Sequence, residues 1–250
     1  MKAVILCAGY GKRLRPYTNT IQKSMIPILG KPLLEYILNE LIYAGFKDIV
    51  IVVGYRKEQV IEYFNNGDKW GIKIEYVKQK QLDGTGGAVL SCESTIKDSH
   101  FFLTWGDILV PYEIYKKVIS LFREEKHDFI LVANYTEDPY KGSALYCRDN
   151  FLINILEKPS KGKSQTNLNN CGIFILSTEI FETLKTLKPS KRGEIELTDA
   201  LNFGILERKW KVRVIKMEKN QFRGDFGDIK VYEQLNKDSS WLKELNKPRL

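Results

Sequence analysis

The sequence predicts an α/β fold, a mixed and mostly parallel sheet flanked by helices. Three observations carry that expectation. Short apolar runs alternate with amphipathic stretches of helical period through the first half of the chain. Glycine-rich loops follow the first and third of the expected strands, where open α/β sheets bind nucleotides. The 250 residues are 43% hydrophobic and 28% charged, enough apolar side chain for a full core.

The elements follow in order. Val4 to Cys7 is apolar throughout and reads as a strand buried on both faces. Pro32 suits the start of a helix, where its fixed φ and missing N–H do no harm. Leu33, Leu34, Ile37, Leu38 and Leu41 then recur at helical spacing, and Gly45 closes the pattern. Ile49 to Val53 is the next buried strand, and Arg56 to Phe64 a helix closed by Asn65-Asn66-Gly67. Ile72 to Val77 alternates, so one face is wetter. Phe101 to Leu103 is a strand, and Tyr112 to Phe122 a helix after Pro111. The second half changes character. Phe129 to Ala133, Ala144 to Cys147, Phe151 to Leu156 and Cys171 to Leu176 read as strands with few helices between them. Lys161 to Thr166 is a loop. Thr178 to Leu187 and Glu196 to Glu207 are helical, and Val212 to Ile215 is a late strand. No internal repeat and no linker composition divides the chain. One domain is expected over 1–237, with a polar C-terminal tail over 238–250.

Composition excludes several classes. No apolar run approaches the ~18 residues of a membrane span. The N-terminus has one charge and too short an apolar stretch for a signal peptide, so a cytoplasmic protein is expected. Cys7, Cys92, Cys147 and Cys171 form no Cys-x-x-Cys pair, which argues against a zinc ribbon or a dithiol redox site. His100 and His127 are isolated. The net charge is +8, which permits nucleic-acid binding without requiring it. Its distribution says more. Lys2, Lys12, Arg13, Arg15, Lys23 and Lys31 fall within the first 31 residues, which hold no Asp or Glu. A small phosphate-rich ligand fits that segment, as does a solvated basic face.

Three features could carry chemistry. Gly9-Tyr10-Gly11-Lys12-Arg13 follows the first strand. Glycines let backbone N–H groups approach phosphate oxygens, and Arg13 with Lys23 would neutralise a polyphosphate. Neither the dinucleotide fingerprint nor the P-loop pattern is completed. Gln79 to Ala88 follows the third strand and opens a helix. Its Gly84, Gly86 and Gly87 would admit a flat ligand, and Gln79 offers a donor and an acceptor to a base edge. Asp107 ends the Phe101 strand region, and Asp225 is the second carboxylate that could share a Mg²⁺ with it. Taken singly, each has a plainer reading: a tight turn, a flexible loop, a helix cap.

Together these residues resemble one family. The run Leu6-Cys7-Ala8-Gly9-Tyr10-Gly11-Lys12-Arg13-Leu14-Arg15-Pro16-Tyr17-Thr18, then Lys23, is similar to the signature of the sugar-1-phosphate nucleotidyltransferases, or nucleotide-sugar pyrophosphorylases. So are Gly30-Lys31-Pro32-Leu33, the Gly84 to Ala88 loop, Gly106-Asp107, Glu157-Lys158-Pro159, Asn170-Cys171-Gly172-Ile173 and Asp225-Phe226-Gly227. Order and spacing match over roughly residues 1–235. The resemblance implies a Rossmann-like fold of the nucleotide-diphospho-sugar transferase type. It implies that an NTP and a sugar 1-phosphate give an NDP-sugar and pyrophosphate, with Mg²⁺ as cofactor. It gives catalytic roles to Arg13 and Lys23 and metal-binding roles to Asp107 and Asp225. Leu6, Ala8, Gly9, Gly11, Gln79, Gly84 and Thr85 would contact the nucleotide, and Gly142, Glu157, Lys158 and Asn170 the sugar phosphate. No general base is needed, because the attacking phosphate is already an anion.

The sequence departs from the family pattern at Lys12, Gln22, Asp228-Ile229 and Gly142-Ser143-Ala144, where Thr, Pro, Thr-Pro and Gly-Val-Val are usual. None of these removes a charged catalytic group. The expected substrates are UTP or dTTP and glucose 1-phosphate or a related hexose phosphate. The Gly-Thr-Gly-Gly-Ala loop also resembles mannose- or heptose-1-phosphate guanylyltransferases. A non-catalytic sugar-nucleotide-binding regulator is the alternative of another class, disfavoured because all four charged groups are present. A chain of this length is not expected to hold the second, acyltransferase domain of some relatives. No nucleic-acid or membrane partner is expected, and self-association into a homo-oligomer is left open.

Overall fold

The computed structural model describes residues 1–245. Where one domain was expected, the contacts gather into two compact units, each assembled from separated stretches of chain. The first holds residues 2–78, 104–117 and the segment from Phe222; the second holds 79–103, 118–221 and Met1. Among the described residues no helix is long and apolar enough to cross a membrane.

In the first unit, Ala3–Cys7, Asp48–Val53 and Lys73–Lys78 are parallel strands, with Asp48–Val53 in the middle. Ile5 lies opposite Ile51, and Ile51 opposite Tyr76. Five successive residues from Ile49 are buried, as in a strand covered on both faces. Helix Leu33–Tyr43 buries the five leucine and isoleucine positions expected of it. Helix Lys57–Phe64 buries Val60 and Phe64. Two short ladders escaped the sequence reading, Pro27–Ile28 with Lys31–Pro32 and Ile108–Leu109 with Gly224–Asp225, because two-residue strands carry no periodicity. The segment expected as a polar tail is anchored as far as it is described. Trp241 is buried, stacks on Phe222 at 5.6 Å and donates its indole N–H to Leu235 O. Residues 246–250 of that expected tail lie outside the described residues.

In the second unit the strand order is Leu168–Ser177, Phe129–Tyr135, Val212–Lys216, Phe151–Glu157, Ser143–Arg148. Phe129–Tyr135 runs parallel to Val212–Lys216 and antiparallel to Leu168–Ser177. Ser143–Arg148 and Phe151–Glu157 form a hairpin. All ten residues of Leu168–Ser177 are buried. Its register with Phe129–Tyr135 breaks between Asn170 and Phe174, a bulge of the kind that re-aims side chains beside functional sites. Helices Thr85–Leu90, Glu179–Thr186 and Leu197–Glu207 belong to this unit. Gly204, inside the last of them, leaves room for Trp210: a Cβ there would sit 1.8 Å from the indole ring. Trp210 in turn stacks on Phe129 at 4.0 Å.

One buried acid sits on the apolar face of helix Leu33–Tyr43. Glu40 Oε2 accepts the backbone N–H of Tyr112 at 2.7 Å, satisfying a donor at the start of helix Tyr112–Glu125. Burial pushes its carboxyl up to about 7, with the Glu113 charge adding to the rise and the Tyr112 N–H opposing it. The folded state therefore holds a proton that the unfolded chain releases. That contribution to stability is complete below the unfolded value and is lost as pH rises through about 7. Glu40→Gln keeps the acceptor without the charge. Thermal melts should show the variant more stable than the parent above pH 7, with the gain fading towards about pH 5.

Candidate active site

In the first unit, the turn after strand Ala3–Cys7 is built around Gly11. Its φ of 63° is left-handed, and a Cβ there would lie 2.9 Å from Thr18 Cγ2 and 3.1 Å from Lys23 Cβ. Thr18 donates its hydroxyl to Gly11 O at 3.0 Å. No described atom lies within 4 Å of where a Gly9 Cβ would sit, so the backbone there can be approached closely. The Leu6 carbonyl accepts Gly106 N–H at 3.0 Å and the Ala8 carbonyl accepts Tyr55 N–H at 2.9 Å. Both are used to hold the loop.

Lys23 opens a single helical turn, Lys23–Met25, which Gln22 caps. Gln22 Nε2 donates to Cys7 O at 2.7 Å, and Gln22 Oε1 accepts Ser24 N–H at 2.6 Å. The buried amide thus ties the Lys23 turn to the end of the first strand. This is one of the family departures, and its role was not legible in sequence. Lys23 Nζ makes an ion pair with Asp107.

Asp107 is fixed from both sides. Gly106 before it packs against Cys7, where a Cβ would be 2.4 Å from the sulfur. Ile108 after it pairs with Asp225 across the short antiparallel ladder, and Asp107 O accepts Phe226 N–H at 2.9 Å. Asp225 is held by Arg223 at 3.0 Å and by Gly227 N–H at 3.0 Å. Burial alone would raise its carboxyl, but Arg223, the Gly227 N–H and Lys23 outweigh burial and hold it below the usual range. A Cβ at Gly227 would stand 3.0 Å from an Arg13 guanidinium nitrogen, 3.0 Å from Asp225 Oδ1 and 3.5 Å from Asp107 Oδ2. Arg13, Asp107 and Asp225 therefore converge on one bare Cα, with Lys23 paired to Asp107. Cys7, beside this cluster, is buried, and burial pushes its thiol up to about 12, against the opposing hydrogen bond from Ser24.

The second unit holds the other expected residues. Gln79 Nε2 donates to Asp83 Oδ1 at 3.0 Å and to Gly84 O at 3.1 Å. The glycines of this loop differ from expectation, since protein atoms fill the space their missing side chains leave. A Cβ at Gly84 would meet Ile195 O at 2.6 Å, one at Gly86 would meet Ile195 and Leu184 at 2.8 Å, and one at Gly87 would meet Asp83 Oδ1 at 1.9 Å. Thr85 Oγ1 accepts Leu197 N–H at 3.1 Å, fastening the start of helix Leu197–Glu207.

Around Glu157 the strand ends converge. Ser143 donates its hydroxyl to Glu157 Oε2 at 2.5 Å, Thr198 Oγ1 lies 3.4 Å from the same oxygen, and Arg192 stands 3.5 Å from Oε1. Arg192 also pairs with Glu194 and Glu196. Burial and the Glu157 charge push the Glu196 carboxyl up to about 7, against the Arg192 cation. Lys158 takes a left-handed φ of 44° and donates its N–H to Gly142 O at 2.9 Å. At the bulge, Asn170 Oδ1 accepts Gly172 N–H, while its buried Nδ2 meets no acceptor among the described residues. Such an unmet buried donor is rare and calls for an explanation. Arg192, Glu196 and Thr198 were missed: Glu196 and Thr198 were read only as the start of a helix, and nothing in the local sequence ties them or Arg192 to Glu157.

Gln22→Ala should lower stability by about 1–3 kcal/mol, since two buried hydrogen bonds vanish and their backbone partners are stranded. Thermal unfolding reads the loss directly. The Lys23 turn loses its anchor with it, so turnover should fall further than the small loss of folded protein accounts for.

A family model described as Nucleotidyl transferase matches residues 2–240. The chain is similar to the Bifunctional protein GlmU of Methanococcus maripaludis (strain C5), 38% identical over 98% of this chain and 55% of the relative. It is similar also to the Bifunctional sugar-1-phosphate nucleotidylyltransferase/acetyltransferase of Sulfurisphaera tokodaii, 36% identical over 87% of this chain and 51% of the relative. The chain thus spans about half the length of these relatives. Among solved structures it is similar to UDP-glucose pyrophosphorylase complexed with UDP-glucose, with a TM-score of 0.85 and 28% identity over 97% of this chain and 98% of that one. On the family match, which the charged cluster about Gly227 fits, the chain belongs to the nucleotidyl transferase family.

Proposed function

We propose that the protein joins UTP or dTTP to glucose 1-phosphate or a related hexose phosphate, releasing pyrophosphate. The observation that carries the transfer reaction in this reading is the convergence of Arg13, Asp107 and Asp225 at Gly227, with Lys23 paired to Asp107. Two anions must be brought into contact, which demands cations and a fixed orientation. A phosphate oxygen of the sugar phosphate forms a bond to the α-phosphorus, and the bond from that phosphorus to the β-bridging oxygen breaks in line. Arg13 holds the triphosphate and balances the charge growing on the leaving pyrophosphate. Lys23 engages the reacting phosphates. Glu157 accepts hydrogen bonds from sugar hydroxyls, Lys158 and Gly142 hold the sugar-phosphate end, and Asn170 offers its unmet Nδ2 donor. Gln79 and Gly84 read the base, and Leu6, Ala8, Gly9, Gly11 and Thr85 frame the nucleotide.

Asp107 and Asp225 fit Mg²⁺. They are two hard oxygen donors beside a phosphate site, Asp225 is kept ionised, and Mg²⁺ takes one or two carboxylates with substrate phosphates and waters completing its shell. When bound, the ion would lower the charge on the reacting phosphates. The four free cysteines suit a reducing compartment, and we place the reaction in the cytoplasm.

Pyrophosphate release should be measured with Mg²⁺ across NTPs and hexose 1-phosphates, including amino-sugar and heptose forms. The expected signal is with UTP or dTTP and glucose 1-phosphate. A GTP signal with mannose or heptose 1-phosphate would move the assignment to a guanylyltransferase, and silence throughout would overturn the sugar assignment. Asp107→Asn should cut turnover by orders of magnitude with its melting transition in place. Near-parental turnover would remove Asp107 from the metal site.

A further inference from the structure

Gln79 has two amide N–H donors and one carbonyl acceptor, and the protein uses them unequally. Both donors point inward, one to the Asp83 carboxylate and one to the Gly84 carbonyl. Turning the amide over would set Oε1 against a carboxylate oxygen and a carbonyl oxygen, with two acceptors left without donors. The orientation of this side chain is therefore dictated by its neighbours. Oε1 accepts from no described residue and is the atom left to meet a ligand.

Asp83 is held firmly enough to impose this. Its backbone carbonyl accepts Ile195 N–H at 2.6 Å. Its carboxylate lies against the bare Cα of Gly87, in the space any side chain there would take. Gly87 thus serves Asp83 and leaves nothing open to a ligand.

We propose that Asp83 is a positioning residue for base selection: it fixes the Gln79 amide so that the base meets an acceptor. This rests on Gln79 as the base reader. A ring nitrogen facing Oε1 must carry a proton. Uracil and thymine at N3 and guanine at N1 do so at neutral pH. Cytosine N3 and adenine N1 are themselves acceptors and would oppose it. The carboxylate of Asp83 can only accept, so it permits one orientation of Gln79. Asparagine, of the same shape, can present its own N–H and so removes one of the two acceptors that hold the Gln79 amide, leaving only the Gly84 carbonyl to oppose its turning.

The test is the ratio of kcat/KM for UTP, dTTP and GTP to that for CTP and ATP. It is measured in the parent, Asp83→Asn, Asp83→Ser and Gln79→Leu, with melting curves alongside. The parent should favour the first group. Asp83→Asn should compress the ratio at least about tenfold, through KM more than kcat, and Gln79→Leu should compress it too. Loss of packing alone would lower all five nucleotides together and leave the ratio in place. If Asp83→Asn does not fold, Asp83→Ser reads the same ratio. If Gln79→Leu compresses the ratio and the Asp83 variants do not, the role of Asp83 is overturned and the base reading stands. If neither residue moves it, the base reading of Gln79 falls and this role falls with it. A parent that prefers CTP or ATP overturns the proposal outright, as does compression by the Asp83 variants alone.

Discussion

The chemistry of the first unit hangs on a ladder two residues long on each side. Ile108 pairs with Asp225 and Leu109 with Gly224, more than a hundred positions apart in sequence. Without that pairing the carboxylates of Asp107 and Asp225 belong to unrelated segments. With it they stand on neighbouring strands, one step out of register, facing Arg13 across Gly227. Two acids held this close repel one another, and the surroundings show how the repulsion is met. Lys23 sits on Asp107, Arg223 on Asp225, and the Gly227 amide adds a further donor. With Arg13 beside them, three cations stand against two carboxylates, so the cluster is left with a small positive excess. A polyphosphate would bring excess negative charge to this cluster, the demand that the proposed Mg²⁺ would meet.

The sequence made the repeating elements legible and the joints between them illegible. Helix Leu33–Tyr43 and strand Asp48–Val53 lie within a residue or two of their expected bounds, since apolar period alone specifies them. The charged residues that gather about Gly227 were also singled out, through the family resemblance. The side chains that hold them were not. Gln22 was visible only as a departure from proline, yet its amide anchors the Lys23 turn. Asp228 replaces a usual Thr and caps helix Ile229–Lys237 by accepting Lys230 N–H. Ser143 stands where valine is usual and hydrogen-bonds Glu157. Each acts through a partner far away in sequence or in a turn with no periodicity, and no local pattern encodes such a partner.

The second unit, to which the proposed reading assigns the sugar phosphate, meets a different demand. A sugar carries several similar hydroxyls, and recognition depends on where acceptors and donors point. Glu157 is steadied by a serine, a threonine and an arginine, and Arg192 is shared among three carboxylates. Such a network favours a single geometry, because moving one member strands the others. The bulge at Asn170 achieves the same end with backbone: its side chain secures Gly172 through Oδ1, while Nδ2 meets no acceptor among the described residues.

The contact between Asp83 and Gly87 has an evolutionary corollary. The two positions share one volume, so neither can drift freely while the other stays fixed. An alanine at 87 becomes admissible only in a chain whose residue 83 has withdrawn its carboxylate. A lineage crossing that step would loosen its hold on the Gln79 amide at the same moment. Covariation between these sites would then record a change in nucleotide use, written in a pair of residues set behind the proposed base reader.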